Sequence, residues 1–138
     1  RDEKEKAIQR LNALPDGNSI LHFDFHPDNI MSDGNSTTII DWMTAARGVP
    51  AADVAATLYL LNEGEMIPGL SKAVAAVLEI IRKSICSKYY ALYKKQTGLT
   101  DEEVAMWRLP FLIFRLGIWK IDSEVPVLQQ KIRAELAQ

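Results

Sequence analysis

The chain has 138 residues, 48% of them hydrophobic and 25% charged, with 16 Lys and Arg against 18 Asp and Glu. That length suits one domain, which would bury roughly two-thirds of its unfolded surface. A net charge of −2 gives no electrostatic footprint for nucleic acid or an anionic membrane. The single cysteine, Cys86, excludes an internal disulfide and fits a reducing, cytoplasmic compartment. Glu79 and Arg115 interrupt the longest apolar runs, so no bilayer span is expected.

The opening Arg1-Asp2-Glu3-Lys4-Glu5-Lys6 has no initiating Met and reads as a helix already under way, as if cut from something longer. Ile8, Leu11 and Leu14 give residues 1–14 an amphipathic pattern, stopped by Pro15-Asp16-Gly17-Asn18. The period then changes. Residues 20–23 and 29–31 read as short strands, and the β-branched run 37–40 as a third. Between the last two lies the turn cluster Ser32-Asp33-Gly34-Asn35-Ser36, predicting a small hairpin.

From Val49 the pattern is helical to the end. Pro50 opens a helix running to Asn62, and Ser71 is an expected N-cap for a long helix ending before Gly98. That helix places Val74, Val77, Leu78, Ile81, Ile85, Tyr89 and Leu92 on one face. Thr100 with Glu103 has the capping-box pattern, and Pro110 predicts a kink or break in the helix that follows. A last helix starts at Ser123 with Pro126 in its first turn. The expected architecture is mainly α with one small β-hairpin.

The chemistry concentrates in Leu21-His22-Phe23-Asp24-Phe25-His26-Pro27-Asp28-Asn29, followed after the hairpin by Ile40-Asp41-Trp42. A loop between short strands lets such polar groups converge without the cost of burying them unpaired. Phosphoryl transfer needs an orienting base for the attacking hydroxyl, oxygen ligands for Mg²⁺ and fixed geometry. His22-Phe23-Asp24, with Asn29 five residues after Asp24, has the H-x-D-x-x-x-x-N spacing of a kinase catalytic loop, and Asp41 follows the hairpin. In this reading Asp24 is the catalytic residue that takes the hydroxyl proton. Asn29 and Asp41 hold the nucleotide phosphates through Mg²⁺, which takes one or two protein carboxylates and completes its shell with phosphate and water.

Two other readings compete. His22, Asp24 and His26 alternate, so on a strand they would share a face and could bind Zn²⁺ as a hydrolase site. That leaves Asn29 and Asp41 unexplained. The chain could instead be a pseudokinase-like helical binding module, against which stands the presence of all three reacting positions. Tyr89, Tyr90, Tyr93, Trp107 and Trp119 read as packing and Cys86 as a buried, inert thiol. Glu63, Glu65 and residues 101–103 could attract a cationic substrate, but read better as solvated helix ends.

Three blocks occur in order: His22-Phe23-Asp24-Phe25-His26-Pro27-Asp28-Asn29, Ile40-Asp41-Trp42 and Gly48-Val49-Pro50-Ala51-Ala52-Asp53. Together they resemble the aminoglycoside phosphotransferase and choline kinase-like family, relatives of the protein kinases, whose pattern runs H-G-D-x-H-x-x-N, I-D-W, G-x-P-x-x-D. The motif covers about a quarter of the chain. The resemblance implies the C-terminal lobe of a protein-kinase-like fold spanning 1–138, with the catalytic loop and metal-binding hairpin at 20–42 and a helical remainder at 50–138. It implies transfer of the γ-phosphoryl of ATP, or GTP, to the hydroxyl of a small molecule, with Mg²⁺. Asp24 matches the catalytic aspartate, Asn29 and Asp41 the metal ligands, and His22, His26 and Asp53 residues that support the loop. Phe23 departs from the family Gly, so a glycine-only backbone conformation is not expected there. Val49 stands where an acidic residue is common.

Such kinases hold the triphosphate with a Lys and a covering loop of an N-terminal lobe. In this sequence only an expected helix precedes His22, with no upstream strand to offer that Lys and no Gly-rich loop. The chain is therefore expected to be a half-enzyme, inactive alone, with an apolar face toward the absent lobe that could also support a homodimer.

Overall fold

The structure is a computed structural model in which residues 2–65, 68–119 and 121–138 are described. Helix α1, Asp2–Asn12, is amphipathic but buries no residue. It leads into four short strands: β1 (Ser19–Leu21), β2 (Ile30–Ser32), β3 (Thr37–Ile39) and β4 (Ala46–Gly48). The helices α2 (Pro50–Glu63), α3 (Lys72–Thr97), α4 (Asp101–Ala105), α5 (Arg108–Ile118) and α6 (Val125–Leu136) follow.

The mainly helical class is as expected, but two small sheets replace the single hairpin. β2 and β3 form the expected antiparallel pair, Met31 opposite Thr38. The turn between them is closed by Asp33, whose carboxylate accepts from the backbone N–H groups of Asn35 and Ser36. β1 instead pairs antiparallel with β4, Ile20 opposite Arg47. Ala46-Arg47-Gly48 carries almost no strand propensity of its own, so this pairing is imposed by the partner. A Cβ at Gly48 would lie 2.8 Å from Leu21 Cδ1, so the buried leucine would have to shift to admit one.

Helix α2 is the centre of the molecule, with eight of its fourteen residues buried. Its alanines let neighbours approach on both sides, as suits a helix apolar all round. On one side Ala56 and Tyr59 pack with Phe111, Leu112 and Leu128 of α5 and α6. On the other, Val54 and Ala55 pack with Val104, and Tyr89, Tyr90, Tyr93 and Trp107 lean on that cluster. Glu63 at the end of α2 ties it to the later helices: it accepts from Arg108 and, at 2.6 Å, from Lys131, while Arg108 Nε also reaches Glu135 at 2.8 Å. Burial alone would raise the Glu63 pKa, but these two cations hold it below its ordinary value.

The helix signals in the sequence act locally. Ser71 caps α3 by accepting from the Val74 N–H, and Gly98 ends it at φ 75°. Thr100 and Glu103 form the reciprocal capping box of α4. Pro110 does not kink a helix. The break falls before it, at Met106 and Trp107, and Pro110 sits in the first turn of α5, where its missing N–H has no intrahelical acceptor to lose. The apolar face of α3 is left largely open: Cys86 is its one buried residue, and Val77 and Leu92 are more than half exposed.

Candidate active site

At Leu21 the chain leaves β1 and turns under the N-terminus of α2. Residues 22–26 are not strand. Asp53, in the first turn of α2, faces the turn and accepts from two successive backbone donors, His22 N–H at 3.0 Å and Phe23 N–H at 2.7 Å. Charge-assisted bonds of this kind are about twice as strong as neutral ones.

That grip explains Phe23. Its φ is 61°, in the left-handed region, so the backbone takes the conformation a glycine would favour although a phenylalanine stands there. This corrects the expectation from the sequence. The conformation costs about 1–2 kcal/mol for a residue with a Cβ. The Asp53 bonds and the Phe23 ring, 5.1 Å from that of Phe114, offset it. The only other non-glycine residue with positive φ among those described is Asp41, at 59°. Both strained positions lie in this site.

His22 is buried, with both ring nitrogens engaged. Nδ1 accepts from the Asp24 backbone N–H at 3.2 Å, so the proton sits on Nε2, which donates to the Ile40 carbonyl at 2.9 Å. The Ile40 N–H in turn donates to the Asn29 carbonyl at 3.0 Å. Ile40, the residue before Asp41, is thus held by both ends of the loop. Thr44 adds a bond from its hydroxyl to the His22 carbonyl at 2.8 Å, and the Trp42 ring lies 4.6 Å from the His22 imidazole.

Asn29 is buried and turns its amide nitrogen inward, donating to the Asp24 carbonyl at 2.8 Å and to Asp24 Oδ2 at 3.3 Å. Its Oδ1 accepts no hydrogen bond among the described residues. The Asp41 side chain is exposed and caps nothing. Two hard oxygen donors are therefore free, the kind of set Mg²⁺ takes.

Asp24 has only 16% of its side chain exposed. His26 Nε2 lies 3.6 Å from Asp24 Oδ2 and 3.3 Å from the Asn29 amide nitrogen. The neutral imidazole can accept from Asn29, and the protonated one faces the Asp24 carboxylate. Contact with His26 holds the Asp24 carboxyl below its usual value against the effect of burial, and the same contact raises His26. The more distant Arg115 also favours the Asp24 anion.

The zinc arrangement does not form. His22 is committed to Ile40 and Asp24, and among the described residues no group of three or more His, Cys, Asp or Glu side chains is placed to hold a metal. Nor is Glu63 free for a cationic substrate, being paired with Arg108 and Lys131. The residues that sequence reasoning missed here are Thr44, Phe114 and Arg115. None carries a local signal; each reaches the loop only through the tertiary fold.

No helix among the described residues is long and apolar enough to cross a membrane. No curated protein and no solved structure matches the chain. The profile of the phosphotransferase enzyme family matches residues 2–81, well over half the chain and the whole of the loop, hairpin and α2. With the H-x-D-x-x-x-x-N loop and the following Asp41 inside that match, this chain belongs to the phosphotransferase enzyme family.

Proposed function

We propose that the chain is the C-terminal, catalytic lobe of a protein-kinase-like small-molecule kinase, transferring the γ-phosphoryl of ATP to a substrate hydroxyl as aminoglycoside phosphotransferases do. The observation that supports this is the hydrogen-bonded frame in which Asn29 binds Asp24 and both ends of the loop bind Ile40, next to Asp41 in the chain, with Asp53 fixing the loop backbone. Asp24 is held as an anion by His26, so it can orient the acceptor hydroxyl and take its proton as the new O–P bond forms. Asn29 Oδ1 and the Asp41 carboxylate would hold Mg²⁺, which when bound neutralises charge on the triphosphate. Asn29 keeps its oxygen available because its nitrogen is engaged inside the loop. His22, His26 and Asp53 position these groups. That all three reacting residues are present supports an enzyme over a non-catalytic module.

In this reading the lysine and loop that clasp the triphosphate come from an N-terminal lobe outside these residues, and the isolated chain binds ATP weakly and does not turn over. Ile20, Met31 and Met43, each more than half exposed near the loop and hairpin, give such a lobe an apolar surface; a second copy is the alternative occupant. The decisive test is Asp24→Asn in the intact enzyme. Turnover should fall by roughly two to four orders of magnitude, with nucleotide affinity little changed. Near-normal turnover would sink the assignment.

A further inference from the structure

Beside the catalytic loop lies a cavity of about 510 Å³, within the range of small-molecule sites. His26, Pro27 and Asp28 form its loop side, so Asp24 lies just behind the wall that His26 provides. Its other walls come from the end of α2, from α3 and from the segment joining α5 to α6. Leu60, Leu61, Leu78, Ile81, Ile85 and Ile121 give these walls an aliphatic surface. Ile81 and Ile85 are 47% and 40% exposed on the cavity's α3 wall.

Two of the charged groups of the cavity are matched to each other. Glu124 is buried and held by Arg115 in a two-bond pair, at 2.7 and 2.6 Å. Arg82 donates to the Leu60 and Gly64 carbonyls at the end of α2. Asp28 and Glu65 are exposed and leave at most a weak negative rim. A polycationic aminosugar needs several unpaired carboxylates in its site, and among the described residues this cavity offers two, Asp28 and Glu65, both exposed.

We propose that this cavity takes the phosphoryl acceptor and that the acceptor is an alcohol with a predominantly apolar body, not a polycationic aminosugar. The inference rests on the kinase reading for the word acceptor, but binding can be tested without catalysis. The chain is labelled at isoleucine methyls and titrated with 4-phenylbutan-1-ol and, separately, with kanamycin. The alcohol should give saturable shifts at Ile81, Ile85 and Ile121, and kanamycin none. Ile85→Lys, at a half-exposed position that tolerates charge, should weaken the alcohol at least tenfold while the methyls of Ile8 and Ile132, outside the cavity, keep their positions. Ile81→Ala provides a second, gentler variant with a smaller loss. Shifts with kanamycin, or none with the alcohol in the folded chain, would overturn the proposal. The cavity is read from isoleucine methyl shifts and the kinase reading from turnover of the intact enzyme, so a failure of turnover and a failure of the cavity are read separately.

Discussion

The loop at 22–29 and the core between α2, α5 and α6 meet at Phe23, yet different forces hold them. In the core, Ala56, Leu112 and Leu128 have no exposed surface and make no side-chain hydrogen bond; their contribution scales with buried apolar area. In the loop only His22 and Asn29 are fully buried, and order comes from side chains that grip backbone atoms: Asp53 on His22 and Phe23, His22 on Ile40, Thr44 on His22. Packing accepts any side chain of similar volume and shape. A hydrogen bond to a particular N–H accepts only an acceptor of the right reach, and leaving its donor bare costs about 1–3 kcal/mol. Identity is therefore fixed in the loop and loose in the core.

The largest stability effect should come from the core. Leu112→Ala, at a site with no exposure, is expected to lose about 2–5 kcal/mol in urea unfolding, with the chemistry at Asp24 little affected in the fraction that stays folded. Asp53→Ala should do the reverse. It strips the partner from two backbone donors, for a loss of about 1–3 kcal/mol, but turnover in the intact enzyme should fall about a hundredfold because the loop is displaced. If the two variants lost stability and turnover in the same proportion, the contrast between the regions would disappear.

Phe23 lies where the two regions join, and a paired substitution separates its two parts. Phe23→Ala and Phe23→Gly both lose the ring packed on Phe114, but only Ala must keep a Cβ at φ 61°. The Gly variant should be the more stable by about 1 kcal/mol. Equal stabilities would mean the turn relaxes once the ring is gone.

The smallest effect concerns pH. His26 is raised by its contact with Asp24, so its contribution is complete below its ordinary pKa of 6.5 and fades as pH rises through the raised value. Asp24 is lowered, so its share is present above the ordinary 3.8 and is lost only as pH falls through the lowered value. Wild-type stability should therefore decline slightly above pH 6.5, by less than about 1 kcal/mol for this partly exposed pair. His26→Gln should flatten that decline. An unchanged pH profile in His26→Gln would remove His26 from the account.

The local signals were legible because they act over a few residues. Ser71, Thr100, Glu103 and Gly98 cap the nearest turn whatever lies beyond it, and the hairpin turn at 33–36 closes on its own carboxylate. The family was legible for a chemical reason: two aspartates and an asparagine at kinase spacing suit few other uses, and all three lie inside the matched residues 2–81. Pro110 was read correctly as a helix breaker but misplaced, because a proline is as much at home in a first turn as after a break. The β1–β4 pairing joins residues 25 or more apart in a segment with little strand character, so nothing nearby announced it.

By itself the sequence determined the helical class, the caps, the hairpin and the residues that phosphoryl transfer would need. Tertiary structure decided the rest. It set Phe23 in a glycine's conformation, gave His22 a single tautomer, matched Arg115 to Glu124 and left the apolar side of α3 facing a cavity instead of a core. Periodicity records that a face is apolar; what covers it is set by chain folded back from far away, through distances and angles that no short stretch of sequence contains.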